Sequence, residues 1–204
     1  MIVKTESKPT LRQRQAEATR DLITSAAQEL FLNNGYTSTT IEGIAEKAGV
    51  AASTVYAVFK SKRGILSAIR QTWHGRTQIK EVINDAQSTV LPTQRLDQLA
   101  LATRRQWELG SEMIAIYTGA AAADPEAAAE LAEALEGRHK AMQTFALSLE
   151  RDLRPKISAD EATAILQALC MPEVYNELVR HSGWTADKYQ VWLAQALKRE
   201  LLAD

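Results

Sequence analysis

Glu136-x-x-His139 has the spacing of a carboxylate–imidazole metal pair, since a helix sets i and i+3 on one face. A carboxylate-bridged di-iron bundle needs two such motifs and two further glutamates. The other histidines, His74 and His181, have no Glu three residues before them, so no metal centre is expected. Cys170 is the single cysteine. One cysteine allows no intrachain disulfide and no cysteine metal cage. It precedes Met171-Pro172 in an apolar stretch, the setting of a small buried hydrophobe rather than a nucleophile. No P-loop and no Gly-rich dinucleotide loop occurs. The residues therefore predict no catalytic group, no cofactor and no enzyme.

The charge distribution carries more information than the net charge of -1. Residues 1–80 hold 12 Lys and Arg against 6 Asp and Glu, a net of +6, and residues 81–204 hold 12 against 19, a net of -7. A basic end on an acidic remainder predicts that the first third meets a polyanion. The N-terminal stretch Met1 to Thr10 is polar and charged, unlike a signal peptide. No apolar run approaches the roughly 20 residues that span a bilayer. A cytoplasmic protein without a membrane partner is expected.

These groups must be positioned by helices. Ala and Leu are abundant, β-branched runs are scarce, and no strand pattern or fixed repeat appears. A first helix is predicted from about Arg14 to Asn34, with an apolar stripe of Leu22, Ala26 and Leu30 beside Ile23, Ala27 and Phe31, stopped at Gly35. Thr39 to Glu42 reads as a capping box with Thr39 as N-cap, opening a short helix that Gly49 breaks. A second short helix follows from about Ala52 to Val58, and Ser61 caps a longer one. Two short helices around a glycine turn are a helix-turn-helix pattern. Beyond residue 80, Pro92 opens one helix, and Asp124-Pro125-Glu126 starts another that runs to about Leu153. Ser158 to Glu161 caps a helix of about 158–181, kinked at Pro172, and Thr185 caps the last, to about Leu202.

One ordered series is much more specific. It runs Phe31-Leu32-Asn33-Asn34-Gly35-Tyr36, Thr39-Thr40-Ile41, Ile44-Ala45-Glu46-Lys47-Ala48-Gly49-Val50, Thr54-Val55-Tyr56-Ala57-Val58-Phe59 and Ser61-Lys62-Arg63. It closely resembles the DNA-binding domain of the TetR family, over about residues 14 to 70. Gly183-Trp184-Thr185, with Tyr189, Trp192 and Leu193, is similar to the last helix of many actinobacterial-type members. The middle of the chain resembles the family only in being helical.

The resemblance implies an all-α protein with a three-helix helix-turn-helix domain over 14–62 and a helical effector-binding and dimerisation domain over 63–204. It implies a transcriptional regulator, by family default a ligand-responsive repressor, that binds a palindromic operator in double-stranded DNA as a homodimer. The DNA-binding residues would be Thr40 at a helix start, Ser53 and Thr54 early in the recognition helix, Tyr56 and Lys62 on backbone phosphate, and Lys60 as a nonspecific attraction. Ala51 stands where the family often has a capping serine, and Val58 where it often has histidine. The recognition helix lacks Arg, Asn and Gln, so hydroxyl, methyl and shape readout are expected to dominate. A small-molecule pocket would draw on Trp73, Arg104, Trp107, Met113, Tyr117 and His139. The dimer would use Ile165, Leu166, Leu169, Tyr189, Trp192 and Leu193. Two rivals stay open at this point: a helical small-molecule-binding protein or enzyme without DNA binding, and a structural interaction module. The first predicts that Tyr56 and Lys62 are dispensable, and the second predicts no operator footprint.

Overall fold

Most described helices follow from a local start signal and an apolar face. The structure, a computed structural model, describes residues 10–77 and 91–203, and the side chains of residues 73–77 and of Leu109 lie outside that description. The chain divides into two compact units, the first ending at Gln71 and the second beginning at Thr72.

In the first unit, α1 (Leu11–Asn34) begins three residues before the predicted start. The reason is a capping box: the Gln13 N–H donates to Thr10 Oγ1 at 3.3 Å, and the Thr10 N–H donates to Gln13 Oε1 at 2.7 Å. Its buried face is Ile23, Ala26, Ala27 and Phe31. Leu22, expected in that stripe, is 56% exposed. One helical step of about 100° carries it past the packed edge.

The helix α2 (Ile41–Ala48) starts at Thr40, not at Thr39. Thr40 Oγ1 accepts the Gly43 N–H at 3.1 Å. That register puts Glu42 at the second helical position, one short of the third position from which a capping box closes. Thr39 instead turns inward, its hydroxyl donating to the carbonyls of Gly35 at 2.8 Å and Leu30 at 3.2 Å. Gly49 (φ 68°, ψ 32°) then reverses the chain in the left-handed region, where a Cβ would cost most. The Val50 N–H returns to the Ala45 carbonyl at 3.0 Å. The helix α3 (Ala52–Phe59) has no side-chain cap, as alanine at position 51 requires, and buries Val55 and Phe59. The next helix, α4, spans Lys62–Thr77.

One side chain ties the start of α4 back to the turn between α1 and α2. The Lys62 ammonium donates to the carbonyls of Tyr36 at 2.7 Å, Thr39 at 3.0 Å and Thr37 at 3.3 Å. It also sits 4.4 Å from the centroid of the Tyr36 ring, which in turn packs on Phe31 at 5.1 Å.

In the second unit, α5 (Pro92–Ala121) opens on proline, and α6 (Pro125–Ser148) opens under Asp124, whose Oδ1 accepts the Glu126 and Ala127 N–H groups. The helix α6 ends five residues before the predicted Leu153, and a 3₁₀ turn over Glu150–Asp152 follows. The helix α7 (Ala159–Leu169) carries the predicted Ser158–Glu161 box. It does not continue to 181 with a kink. Met171 is extended (ψ 149°), the conformation that a following proline enforces, and Pro172 starts a new helix, α8 (Pro172–Tyr175), that runs on as a π-helical turn over Asn176–His181. The helix α9 (Ala186–Leu201) is capped by Thr185.

The break at Pro172 leaves the Cys170 carbonyl inside the protein, where two side chains donate to it: Trp107 Nε1 at 2.9 Å and Arg138 Nη2 at 2.6 Å. Around them lies a core of Leu96, Trp107, Phe145, Leu166, Tyr189, Leu193 and Leu197. Among the described residues, no helix is long and apolar enough to cross a membrane.

Two outcomes are expected. Replacing Lys62 by methionine keeps the stem and removes the donors, and should lower the unfolding free energy of the first unit by about 2 kcal/mol in urea denaturation. An unchanged midpoint would mean that the three carbonyls lose nothing. Trp107→Ala should cost the second unit about 3–5 kcal/mol, and Trp107→Phe far less, since only one of two donors to Cys170 is lost.

Candidate nucleic-acid interface

Burial of Val55 and Phe59 on one side of α3 leaves the opposite side open. Ser53, Tyr56 and Ala57 follow one another at helical spacing and are exposed, Tyr56 at 48%, and the exposed Lys60 follows directly beyond the last residue of the helix. Thr54 is half-buried at the edge of this face. The side chains are short at 53 and 57, aromatic with a phenolic hydroxyl at 56, and cationic at 60. Such a face can set hydroxyl and methyl groups against base edges, and a phenol and an ammonium against phosphate.

The other predicted contacts are placed differently. Thr40 is exposed at the start of α2, but its hydroxyl oxygen already accepts from Gly43. Lys62 is turned toward the Tyr36, Thr37 and Thr39 carbonyls, so a phosphate would compete with them for the ammonium. Arg20, not singled out by the sequence, stacks on Phe59 at 4.7 Å from the ring centroid. Sequence reasoning also passed over Tyr36, the turn residue whose carbonyl and ring hold Lys62, and Gly64, whose ideal Cβ would lie 2.0 Å from the Phe59 carbonyl oxygen. The only sequence signal for Gly64 was a glycine in the first turn of a helix, where it lowers propensity.

The six residues assigned to a small-molecule pocket are not gathered around one described cavity. Trp73 lies outside the described side chains. Arg104 pairs with Asp187 and Glu108 and donates to Gln190. Trp107 is fully buried on Cys170, Met113 is buried, and the buried Tyr117 donates to Glu130 at 3.1 Å. His139, beside the Gln167 amide, lines an open cleft of about 480 Å³ together with Leu135, Glu136, Arg138 and Gln167. Glu136, its partner in the metal-like spacing, is paired with Lys140 at 3.3 Å. Burial lowers the pKa of the Arg138 guanidinium, raises that of the Tyr189 phenol, and pushes the Cys170 thiol up to about 11. A thiol so raised stays protonated near neutrality and is a poor nucleophile.

The residues assigned to a dimer contact divide in two. Leu166, Tyr189 and Leu193 have no exposed surface and belong to the protomer's own core, so a partner cannot reach them. Ile165, Leu169 and Trp192 are only partly buried against that core. Trp192 meets Trp184 edge to face at 6.0 Å, with the exposed Val191 beside them.

The family model described as bacterial regulatory proteins of the tetR family matches residues 23–69. The HTH-type transcriptional regulator TcmR of Streptomyces glaucescens is 38% identical over 80 residues, which is 37% of this chain and 35% of TcmR. An uncharacterized HTH-type transcriptional regulator of Bacillus subtilis (strain 168), YvkB, is 41% identical over 51 residues, 25% of this chain and 27% of YvkB. The chain thus matches about a third of the length of the one and about a quarter of the other.

Solved structures extend the likeness in fold to nearly the whole chain. NalD, the secondary repressor of the MexAB-OprM multidrug efflux pump in Pseudomonas aeruginosa, superposes with a TM-score of 0.71 at 23% identity, over 94% of this chain and 99% of NalD. The ketosteroid transcriptional regulator KstR2 of Mycobacterium tuberculosis gives 0.71 at 20% identity, over 91% and 95%. SmeT, solved in complex with triclosan, gives 0.70 at 21% identity, over 92% and 93%. The segment that matches the family model of bacterial regulatory proteins of the tetR family, residues 23–69, contains the whole helix-turn-helix of α2 and α3.

Proposed function

We propose that this chain is a DNA-binding transcriptional regulator that acts as a repressor on a palindromic operator. The observation that carries the reading is the open face of α3, with Ser53, Tyr56 and Ala57 exposed at helical spacing and the exposed Lys60 at its end, inside the segment matched by the family model. In this reading residues 14–62 form the DNA-binding domain, and residues 63–204 form the effector-binding and dimerisation domain. Ser53 and Thr54 read base edges, while Tyr56 and Lys60 contact phosphate. Thr40 contributes the start of α2, held in place by Lys62, whose ammonium bonds the carbonyl just before it. The basic excess of the first 80 residues supports the same polyanion.

A single helix-turn-helix covers too little DNA for tight binding, so the active form is a homodimer spanning two half-sites. Its contact uses the surfaces of α7 and α9 that remain partly exposed, at Ile165, Leu169 and Trp192, laid over the buried Leu166, Tyr189 and Leu193. A small-molecule effector is proposed on the likeness in fold to SmeT, which was solved with triclosan. Release from DNA would follow from its tighter binding to one arrangement of the dimer.

The test is quantitative binding of the full chain to a duplex selected from a randomised pool, at several salt concentrations. Lys60→Ala should weaken all sequences alike and reduce the log–log salt slope by about 1. Ser53→Ala should instead change sequence preference, by about 1–3 kcal/mol at one base position, and leave the slope unchanged. Failure of the wild-type chain to select any sequence would end the DNA-binding reading.

A further inference from the structure

The joint between α3 and α4 is held in a backbone conformation that few residues adopt. Lys60 lies at φ 67° and ψ -38°. The Ser61 N–H donates back across it to the Phe59 carbonyl at 2.8 Å. A three-residue loop closed by an i to i+2 bond over a positive-φ centre is the strained form of the γ-turn, and lysine has no special tolerance for it. On the far side of the same carbonyl stands Gly64, where an ideal Cβ would lie 2.0 Å from the oxygen and 3.1 Å from the carbonyl carbon. No real Cβ approaches backbone so closely. The first turn of α4 seats against Phe59 only because residue 64 has no side chain. The Gly64 N–H is in turn fixed by Ser61 Oγ at 3.1 Å.

We propose that Gly64 is a positioning residue for DNA recognition: its missing Cβ lets α4 close on the Phe59 carbonyl, which holds the γ-turn at Lys60 and so fixes the angle at which α3 presents its open face. The inference rests on the DNA-binding reading and deepens it. The composition of α3 is what makes the angle matter. A long Arg or Gln reaches base edges through several rotatable bonds and absorbs small shifts of its helix. Ser53, Thr54 and Ala57 have at most one heavy atom beyond Cβ in any direction, so contact depends on where the backbone lies. Lys60 is carried on the strained residue itself and is exposed. A glycine there would relax the turn but lose the cation.

The experiment compares three variants of the full chain, Gly64→Ala, Lys60→Gly and the core control Ile23→Val, on the selected duplex and on a scrambled duplex of equal length. Thermal melting is followed in parallel, and binding is measured well below each melting point. Gly64→Ala should lose discrimination between the two duplexes by on the order of tenfold or more, the equivalent of a lost base contact. Its affinity for the scrambled duplex and its salt slope should stay near wild type, because its charges are unchanged. Ile23→Val, which also lowers the melting point, should keep full discrimination. Lys60→Gly should melt higher and keep its discrimination, with the salt slope reduced by about 1. If Gly64→Ala does not fold, the double variant Lys60→Gly/Gly64→Ala, whose joint is free to swing the carbonyl clear of the methyl, is used instead and should fold without discrimination. Wild-type discrimination in whichever folded variant carries the Gly64→Ala substitution overturns the inference while leaving the DNA-binding reading intact. Equal loss in Gly64→Ala and Ile23→Val also overturns it. If the wild-type chain selects no duplex, both readings fall.

Discussion

The first unit depends on an ammonium group used as a fastener. Short helices of eight residues are marginal by themselves, and α2 and α3 have that length. Their hydrophobic faces supply most of the packing, but a turn that joins helices has carbonyls to satisfy as well. Lys62 meets three of them at once, at Tyr36, Thr37 and Thr39, while its charge rests over the Tyr36 ring. Because Thr39 immediately precedes the cap of α2, the same contact fixes where that helix begins. Because Lys62 is the first residue of α4, it also fixes where α4 begins. A cation that would be ordinary on the surface becomes the register pin for three helices. The consequence is that it is less available to a ligand than its position in the sequence implies.

The second unit is organised around a comparable constraint of opposite sign. Proline at 172 ends the α7 helix early and exposes one carbonyl to the interior. Leaving it unpaired would cost about 1–3 kcal/mol, yet two donors from two other helices converge on it. Trp107 brings α5 and Arg138 brings α6 to the end of α7. The guanidinium is largely desolvated there, which is why its pKa falls, and its 5.6 Å approach to the Trp107 ring offsets part of that burial. The break therefore links three helices, which a continuous kinked helix would not do. It also explains why Tyr189 and Leu166 are used inside the protomer: the core around Cys170 needs volume, and the two rings of Tyr175 and Tyr189 supply it edge to face at 5.0 Å.

What was legible in the sequence was local. Caps at Asp124, Ser158 and Thr185 and the left-handed turn at Gly49 are decided by residues within four positions of one another, and the structure has them where their residue types place them. What was not legible needed a distant partner. Thr39 and Thr40 are equivalent as caps by composition; the choice is made by the Gly35 and Leu30 carbonyls, which draw Thr39 inward. Lys62 reads as a basic residue next to Arg63, and nothing nearby in sequence says that Tyr36, 26 positions earlier, will hold it. Leu22 fits a four-residue repeat, yet its neighbour Ile23 takes the buried site. On α9 the periodicity of Tyr189, Trp192, Leu193 and Ala196 marks an apolar face without saying whether that face meets the chain's own core or a second copy; burial divides it, with Tyr189 and Leu193 inside and Trp192 at the margin.

On the DNA-binding reading proposed above, the two kinds of constraint bear on how a helix poor in long polar side chains could discriminate at all. Readout by short side chains and groove shape shifts the burden from the side chain to the backbone that carries it. That is consistent with what surrounds α3. At its N-terminal end Gly49 and Val50 close a tight turn on Ala45, and at its C-terminal end the chain turns within three residues over a strained centre. Lys62 then anchors the first turn of α4 to a different part of the unit. A helix of eight residues fixed at both ends has little freedom to tilt. The strain at Lys60 is local, and the buried side chains of Val55 and Phe59 oppose its relaxation. Rigidity of this kind trades stability in one turn for a defined placement of a face that has little reach of its own.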